Sequence, residues 1–181
     1  GSTIEYNTAL FDKENREIIL NGEAYFEVTS NKDRPFKVIT KYADVNVTGT
    51  AFNVIAYPED DIFETVLAEG NVHLEFKAGR CNPFYMKPGQ RVILNVPDNK
   101  LDVESVEAEL FTSWRNGELI FKDATLNDLV KELERIYDIR FHMKPSSLGQ
   151  LRFRGMFSYD NNLILALEKI KKTSGVDYYI E

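Results

Sequence analysis

The sequence predicts an α+β chain in two parts. The first is an N-terminal all-β antiparallel sandwich or roll over residues 3–111, with a solenoid-like stack as the other arrangement that alternation allows. The second is a small βαβ-βαβ α/β sandwich over residues 114–181. Three observations carry this. Apolar and polar residues alternate between turn clusters from Gly22 to Glu75, which is the period of half-buried strands. After Trp114 the apolar spacing switches to three and four, the period of a helix with one buried face. The charge also changes: residues 1–112 hold 19 acidic against 11 basic side chains, and residues 113–181 hold 10 against 11.

The β elements follow one another as consecutive hairpins. Gly22–Val28 comes first, then Arg34–Val38, Val45–Val54 and Val66–Val72. Polar clusters at Asp12–Arg16, Ser30–Asp33 and Pro58–Asp61 supply turns. Lys87-Pro88-Gly89-Gln90-Arg91 reads as a tight turn, since proline presets φ and glycine accepts a positive φ. It feeds the strand Val92–Val96, and Pro97–Lys100 turns the chain again. Asp102–Thr112 is acidic and weakly patterned and reads as the linker between domains.

In the second part, Trp114–Phe121 is a turn and a strand, with Trp114 placed to pack where the parts meet. Asp123-Ala124-Thr125 opens a helix whose apolar face is Leu126, Leu129, Val130, Leu133 and Ile136, and Asp138–His142 returns as a strand. The pattern then repeats. Phe157 stands where Phe121 stood, Leu163, Ala166, Leu167 and Ile170 repeat the helix face, and Val176–Ile180 is the second returning strand. Two β-α-β units place two helices on one sheet.

A net charge of −7 leaves no general basic face, which argues against nucleic acid as the partner. The lone cysteine, Cys81, forms no intrachain disulfide, and it lacks the nearby base and positive surroundings of a catalytic thiol. His73 and His142 sit in no motif, and no cofactor or metal is expected. Glu59-Asp60-Asp61 lacks the bend glycine of a calcium loop, and Glu23 and Glu27 share one outward strand face. The aromatics Tyr25, Phe36, Phe52, Tyr57, Phe63, Phe76, Phe84 and Tyr85 fit the core of a β domain, with a carbohydrate platform as the rival reading. No run spans a bilayer, Gly1-Ser2 reads as a cloning remnant, and the chain is expected to be an excised part of a longer protein.

The basic residues Arg140, Lys144, Arg152 and Arg154 bracket the crossover between the two β-α-β units; solvated surface is the ordinary account, and a face for an acidic partner is the functional one. The strand Val176, Tyr178, Tyr179 and Ile180 offers a backbone edge for an added strand.

Four motifs resemble those of the extracytoplasmic FecR-type domain of cell-surface-signalling anti-sigma factors. They are Gly22-Glu23-Ala24-Tyr25-Phe26-Glu27-Val28, Arg34-Pro35-Phe36-Lys37-Val38, Val47-Thr48-Gly49-Thr50-Ala51-Phe52-Asn53-Val54 and Leu67-Ala68-Glu69-Gly70-Asn71-Val72, in the family's order. Met86-Lys87-Pro88-Gly89-Gln90 matches a further family turn. Trp114, Gly117, Leu119 and Phe121, then Leu126, Leu129, Leu133 and Tyr137, then Phe153, Gly155 and Phe157 resemble the C-terminal domain that accompanies it in the Bacteroidetes type. That domain is similar to the secretin and TonB short N-terminal (STN) fold. The resemblance implies a non-enzymatic periplasmic sensor region of a single-pass inner-membrane protein. Its implied partners are the signalling domain of a TonB-dependent outer-membrane receptor and, through a cytoplasmic domain absent here, an ECF-type sigma factor. Some members cleave themselves at the Gly-Thr bond that corresponds to Gly49-Thr50. No base flanks that bond in sequence, and a turn or bulge glycine is the better account of it.

Overall fold

The computed structural model describes residues 1–9, 11, 16–158 and 162–179. The chain divides into two compact units, Ser2–Thr112 and Ser113–Glu181. The first unit contains ten strands: β1 (Thr3–Glu5), β2 (Arg16–Val28), β3 (Phe36–Ile39), β4 (Ala43–Val47), β5 (Thr50–Ala56), β6 (Ile62–Glu69), β7 (Val72–Phe76), β8 (Phe84–Met86), β9 (Gln90–Asn95) and β10 (Lys100–Ser105). They form one sheet in the order β10-β9-β6-β5-β2-β3-β4-β7-β8, with β1 also on β2. The sheet curls around one core. Leu20, Val38, Val45, Phe52, Val54, Phe63, Leu74 and Leu94 are fully buried and mark the inward face of alternating strands.

The strands are not all antiparallel hairpins. β2 and β3 run parallel, with Arg16 opposite Phe36 and Ile19 opposite Ile39. The other half of β2, Gly22–Val28, is antiparallel to β5. Only seven residues, Thr29–Pro35, connect Val28 to Phe36. Parallel neighbours ordinarily need a dozen or more connecting residues. The distances resolve this. A straight β2 would span about 40 Å at ~3.3 Å per residue, whereas eight Cα steps reach at most about 29 Å. β2 must therefore bend, and Gly22, at φ 116°, stands where its pairing changes from β3 to β5. The Arg16 guanidinium fastens the short return. It donates to the Arg34 carbonyl through Nε (2.8 Å) and Nη2, and to the Thr29 carbonyl at 3.3 Å.

The turns at Pro58–Asp61, Pro88-Gly89 and Pro97–Lys100 stand where the sequence predicts them, with Gly89 at φ 76°. The Asp12–Arg16 turn lies largely outside the described residues. The expected linker is structured. Its first half is edge strand β10, and its second contains helix α1 (Ala108–Thr112). Among the aromatics, Phe36, Phe52, Tyr57, Phe63 and Phe76 are buried as expected. Tyr85 is not: it is 72% exposed and stacked on His73 at 4.3 Å.

The second unit holds β11 (Glu118–Thr125), α2 (Leu126–Tyr137), β12 (Arg152–Ser158) and α3 (Leu163–Ser174). Asp123–Ala124 ends the strand and does not open the helix. Thr125 is the N-cap, and Thr125 and Asp128 form a reciprocal capping box. β11 and β12 pair antiparallel, with a register break at Asp123, whose φ is 63°. Neither Asp138–His142 nor Val176–Tyr179 is a strand, and the second prediction's last residue, Ile180, lies outside the described residues. Among the described residues the unit is therefore a β-α-β-α arrangement, not two β-α-β repeats. Glu134 explains part of this, since it captures the amides of Ile139 and Phe141 that a ladder would otherwise use.

Candidate functional site

A two-stranded ribbon is marginal alone and depends on what packs against it. Here α2 and α3 supply Leu126, Leu129, Val130, Leu133, Ala166, Leu167 and Ile170, which close on Phe121, Phe153 and Phe157. Asn162 caps α3 by accepting from the Leu165 amide, and Gly175 ends it at φ 71°.

Beyond the two helices, residues 139–144 and 176–179 run outside any helix or paired strand. The two segments line one cavity of about 510 Å³, floored by Leu126, Val130, Leu163, Leu167 and Ile170. Both alternate as strands do. Ile139, Phe141 and Met143 are half-buried, while Arg140, His142 and Lys144 are exposed. Val176 and Tyr178 are half-buried, while Asp177 and Tyr179 are exposed. Each rim is tied to the helix before it. Glu134 Oε1 accepts the Phe141 amide at 2.7 Å, and its other oxygen lies 3.6 Å from Arg140. Tyr178 donates its hydroxyl proton to Glu168 at 2.7 Å, and Lys171 pairs with Asp177 at 2.7 Å. The bond from Lys171, aided by the Tyr178 amide, holds the Asp177 carboxyl below its usual range, and Glu168 raises the Tyr178 phenol.

The predicted partner-binding residues thus separate into two groups. Arg140, Val176, Tyr178 and Tyr179 share the cavity. Arg152 and Arg154 lie elsewhere, exposed on β12. Arg152 is engaged by Asp123, at 3.0 Å to its carboxylate and 2.7 Å to its carbonyl. Arg154 stands opposite Lys122 across the ribbon. Glu134, Glu168 and Lys171 position the rims and had no mark in the sequence beyond being polar helix residues.

Gly49-Thr50 joins β4 to β5 beside the register break at Ala51. The bond is closely packed. A side chain on Gly49 would meet Ser30 at 2.7 Å, and one on Gly70 would meet the Gly49 carbonyl. Thr50 is buried, and its hydroxyl donates to the Asn71 carbonyl at 2.8 Å. Glu27 and Glu69 line the same cavity of about 680 Å³, on the strands either side of Ala51. A carbonyl is a poor base, so this hydrogen bond does not activate the hydroxyl.

Among the described residues, no three His, Cys, Asp or Glu side chains gather to hold a metal ion. No helix among them is long and apolar enough to cross a membrane.

Residues 1–73 match the family model described as FecR protein, and residues 118–181 match the model described as FecR, C-terminal. Two crystal structures of a protein from Parabacteroides distasonis ATCC 8503, provisionally designated an anti-sigma factor, are similar over the entire chain. The first, at 1.65 Å resolution, has a TM-score of 0.88 and 27% identity, and the match covers 83% of that protein. The second, at 2.50 Å, has a TM-score of 0.87 with the same identity and coverage. No curated protein matches the sequence.

Proposed function

From the premise that this chain is FecR-type, a signal-transduction regulator of the anti-sigma kind, we propose that it is the periplasmic sensor region of a single-pass inner-membrane anti-sigma factor. The partner is the signalling domain of a TonB-dependent outer-membrane receptor, and the regulated target is an ECF-type sigma factor held by a cytoplasmic domain of the intact protein. The two units act as separate domains, 3–111 and 114–181, and the second is the STN-like docking module of the Bacteroidetes type. The signal passes as altered packing or protease access, without catalysis or a cofactor.

The observation that carries this reading is the build of the second unit. It combines a short ribbon whose β12 strand exposes Arg152 and Arg154 with an apolar cavity rimmed by Arg140. Charges of this kind set register and encounter rate. Titration of a TonB-dependent receptor's signalling domain, chosen by gene neighbourhood, against the full chain by calorimetry tests it. Binding should weaken on Arg152→Glu with Arg154→Glu, and its salt dependence should fall. Binding that maps to the first unit would refute the assignment. Gly49-Thr50 remains uncleaved in this reading, because Thr50 is hydrogen-bonded to a carbonyl and not to a base.

One observation favours a second reading, a carbohydrate-binding module. The stacked His73–Tyr85 pair presents a solvent-facing aromatic on the first unit. A glycan screen with Tyr85→Ala as the control separates the two.

A further inference from the structure

The two rims of the second unit's cavity share one property of strands and lack another. Residues 139–144 and 176–179 alternate in burial with the period of two that an extended chain has, yet neither belongs to a sheet. Along the first rim, Glu134 takes the amides of Ile139 and Phe141, on one side of the segment. In an extended chain the amides and carbonyls of successive residues point to opposite sides. The groups of Arg140 and His142 therefore face the other way, and among the described residues they have no hydrogen-bond partner. On the second rim the Val176 and Tyr178 amides are met locally by Ser174 and Asp177, whereas Tyr179 has no backbone partner among the described residues. Main-chain groups left over an apolar floor need partners, since unmet ones are costly when desolvated.

We propose that this cavity is a receptor groove for one extended strand of the partner, whose apolar residues alternate with acidic ones. This deepens the docking function above and rests on it. The missing interactions are main-chain ones repeating at the spacing of a strand, so an added strand meets them where a compact small molecule does not. The floor of Leu126, Val130, Leu163, Leu167 and Ile170 takes the apolar side chains. The outward side of the first rim carries Arg140, His142 and Lys144 in alternation, with the Arg140 side chain 85% exposed. Glutamates or aspartates at alternate positions of the incoming strand would stand beside them. At the ~3.3 Å strand rise, six residues span about 20 Å, so an occupant matched to this rim has five to six residues. Basic or neutral strands lack this complementarity, and a second copy of the same rim would place like charges together.

The probe is an acetylated, amidated six-residue peptide alternating valine and glutamate, titrated into the full chain and followed by amide chemical shifts. The expected result is binding with a Kd of about 0.1–1 mM, as suits a short flexible strand. Shifts should be confined to residues 139–144, 176–179 and the helix residues of the floor. A valine–lysine peptide should bind roughly tenfold more weakly, and Arg140→Glu with Lys144→Glu should reverse that order. Both substitutions are at exposed positions, so the fold is retained. Methylating alternate backbone nitrogens of the peptide should abolish binding. The proposal falls if the two peptides bind equally, if methylation has no effect, or if the shifts lie elsewhere or are absent. Should the receptor domain still bind the chain in that event, the docking function stands and only the groove is refuted.

Discussion

Replacing Arg91 with methionine should cost the first unit about 3 kcal/mol. Glu64 is on β6 with its side chain only 9% exposed, and Arg91 of β9 meets it with two bonds, Nε at 2.8 Å and Nη2 at 2.6 Å. Burial disfavours the guanidinium's charge, but the bonds to Glu64 outweigh it and hold the group protonated above its ordinary value. Arg91 also reaches Glu104 at 3.3 Å and stacks 4.8 Å from the Phe111 ring of α1. Removing one member of a buried pair leaves an uncompensated charge, at about 3–5 kcal/mol. Arg91 is 25% exposed, so the lower end applies. At roughly 4 °C per kcal/mol for a unit of this size, the melting temperature should fall by about 12 °C. Urea unfolding measures the same loss at constant m. The double replacement Glu64→Leu with Arg91→Met removes both charges and should recover most of the stability. A loss under about 1 kcal/mol in the single variant, the range of ordinary surface changes, would refute the reasoning. So would a double variant no better than the single one.

Other perturbations probe the second unit and the Gly49-Thr50 bond. Leu133→Ala, at a fully buried position of α2, should destabilise the second unit by about 2–5 kcal/mol and leave the first folded, as measured by domain-resolved hydrogen exchange. The second rim should release at both ends of the pH scale. Asp177 has a lowered pKa, so its tie to Lys171 contributes above the unfolded carboxylate value of about 4 and is lost as pH falls through the folded one. Tyr178 has a raised pKa, so its bond to Glu168 is present below the free phenol value of about 10 and is lost as pH rises through the folded one. Amide shifts of residues 176–179 report both transitions, and Asp177→Asn should abolish the acidic one. Purified chain should run as a single mass, and a fragment pair abolished by Thr50→Ala would contradict the reading of that bond.

Much of the fold was legible because burial follows period. Val38, Val45, Phe52 and Val54 are core residues at positions that strand alternation selects. The faces of α2 and α3 are those of the helical spacing, with Thr125 as a readable cap. Pairing was less legible. The parallel contact of β2 with β3 depends on a bend at Gly22 and on Arg16 reaching residues 29 and 34, and neither has a local signature. β10 reads as linker in the sequence because, as an exposed edge, it has little of the amphipathic pattern that reveals a strand. In residues 139–143 and 176–179 the alternation is real and the ladder is not, since periodicity reports which side chains face inward and says nothing of what the backbone bonds to. The same gap hid the candidate site. Arg140 and Tyr178 share a cavity while Arg152 and Arg154 do not, although charge and strand pattern in the sequence group all four.

The bend in β2 has a kinetic meaning. One strand is ladder partner to β1, β3 and β5, so both wings of the first unit's sheet are anchored on the same thirteen residues. Neither wing can detach while the other keeps a complete β2. The unit should therefore open as a single foldon, with slow-exchanging amides at Leu20, Val38, Val54 and Leu94 sharing one opening free energy. The contact closing β2 onto β5 joins residues about thirty apart, and the β4–β7 contact is of similar span. Loop closure of that kind precedes its reward, so the rate-limiting event in folding should be the capture of β5 by the second half of β2.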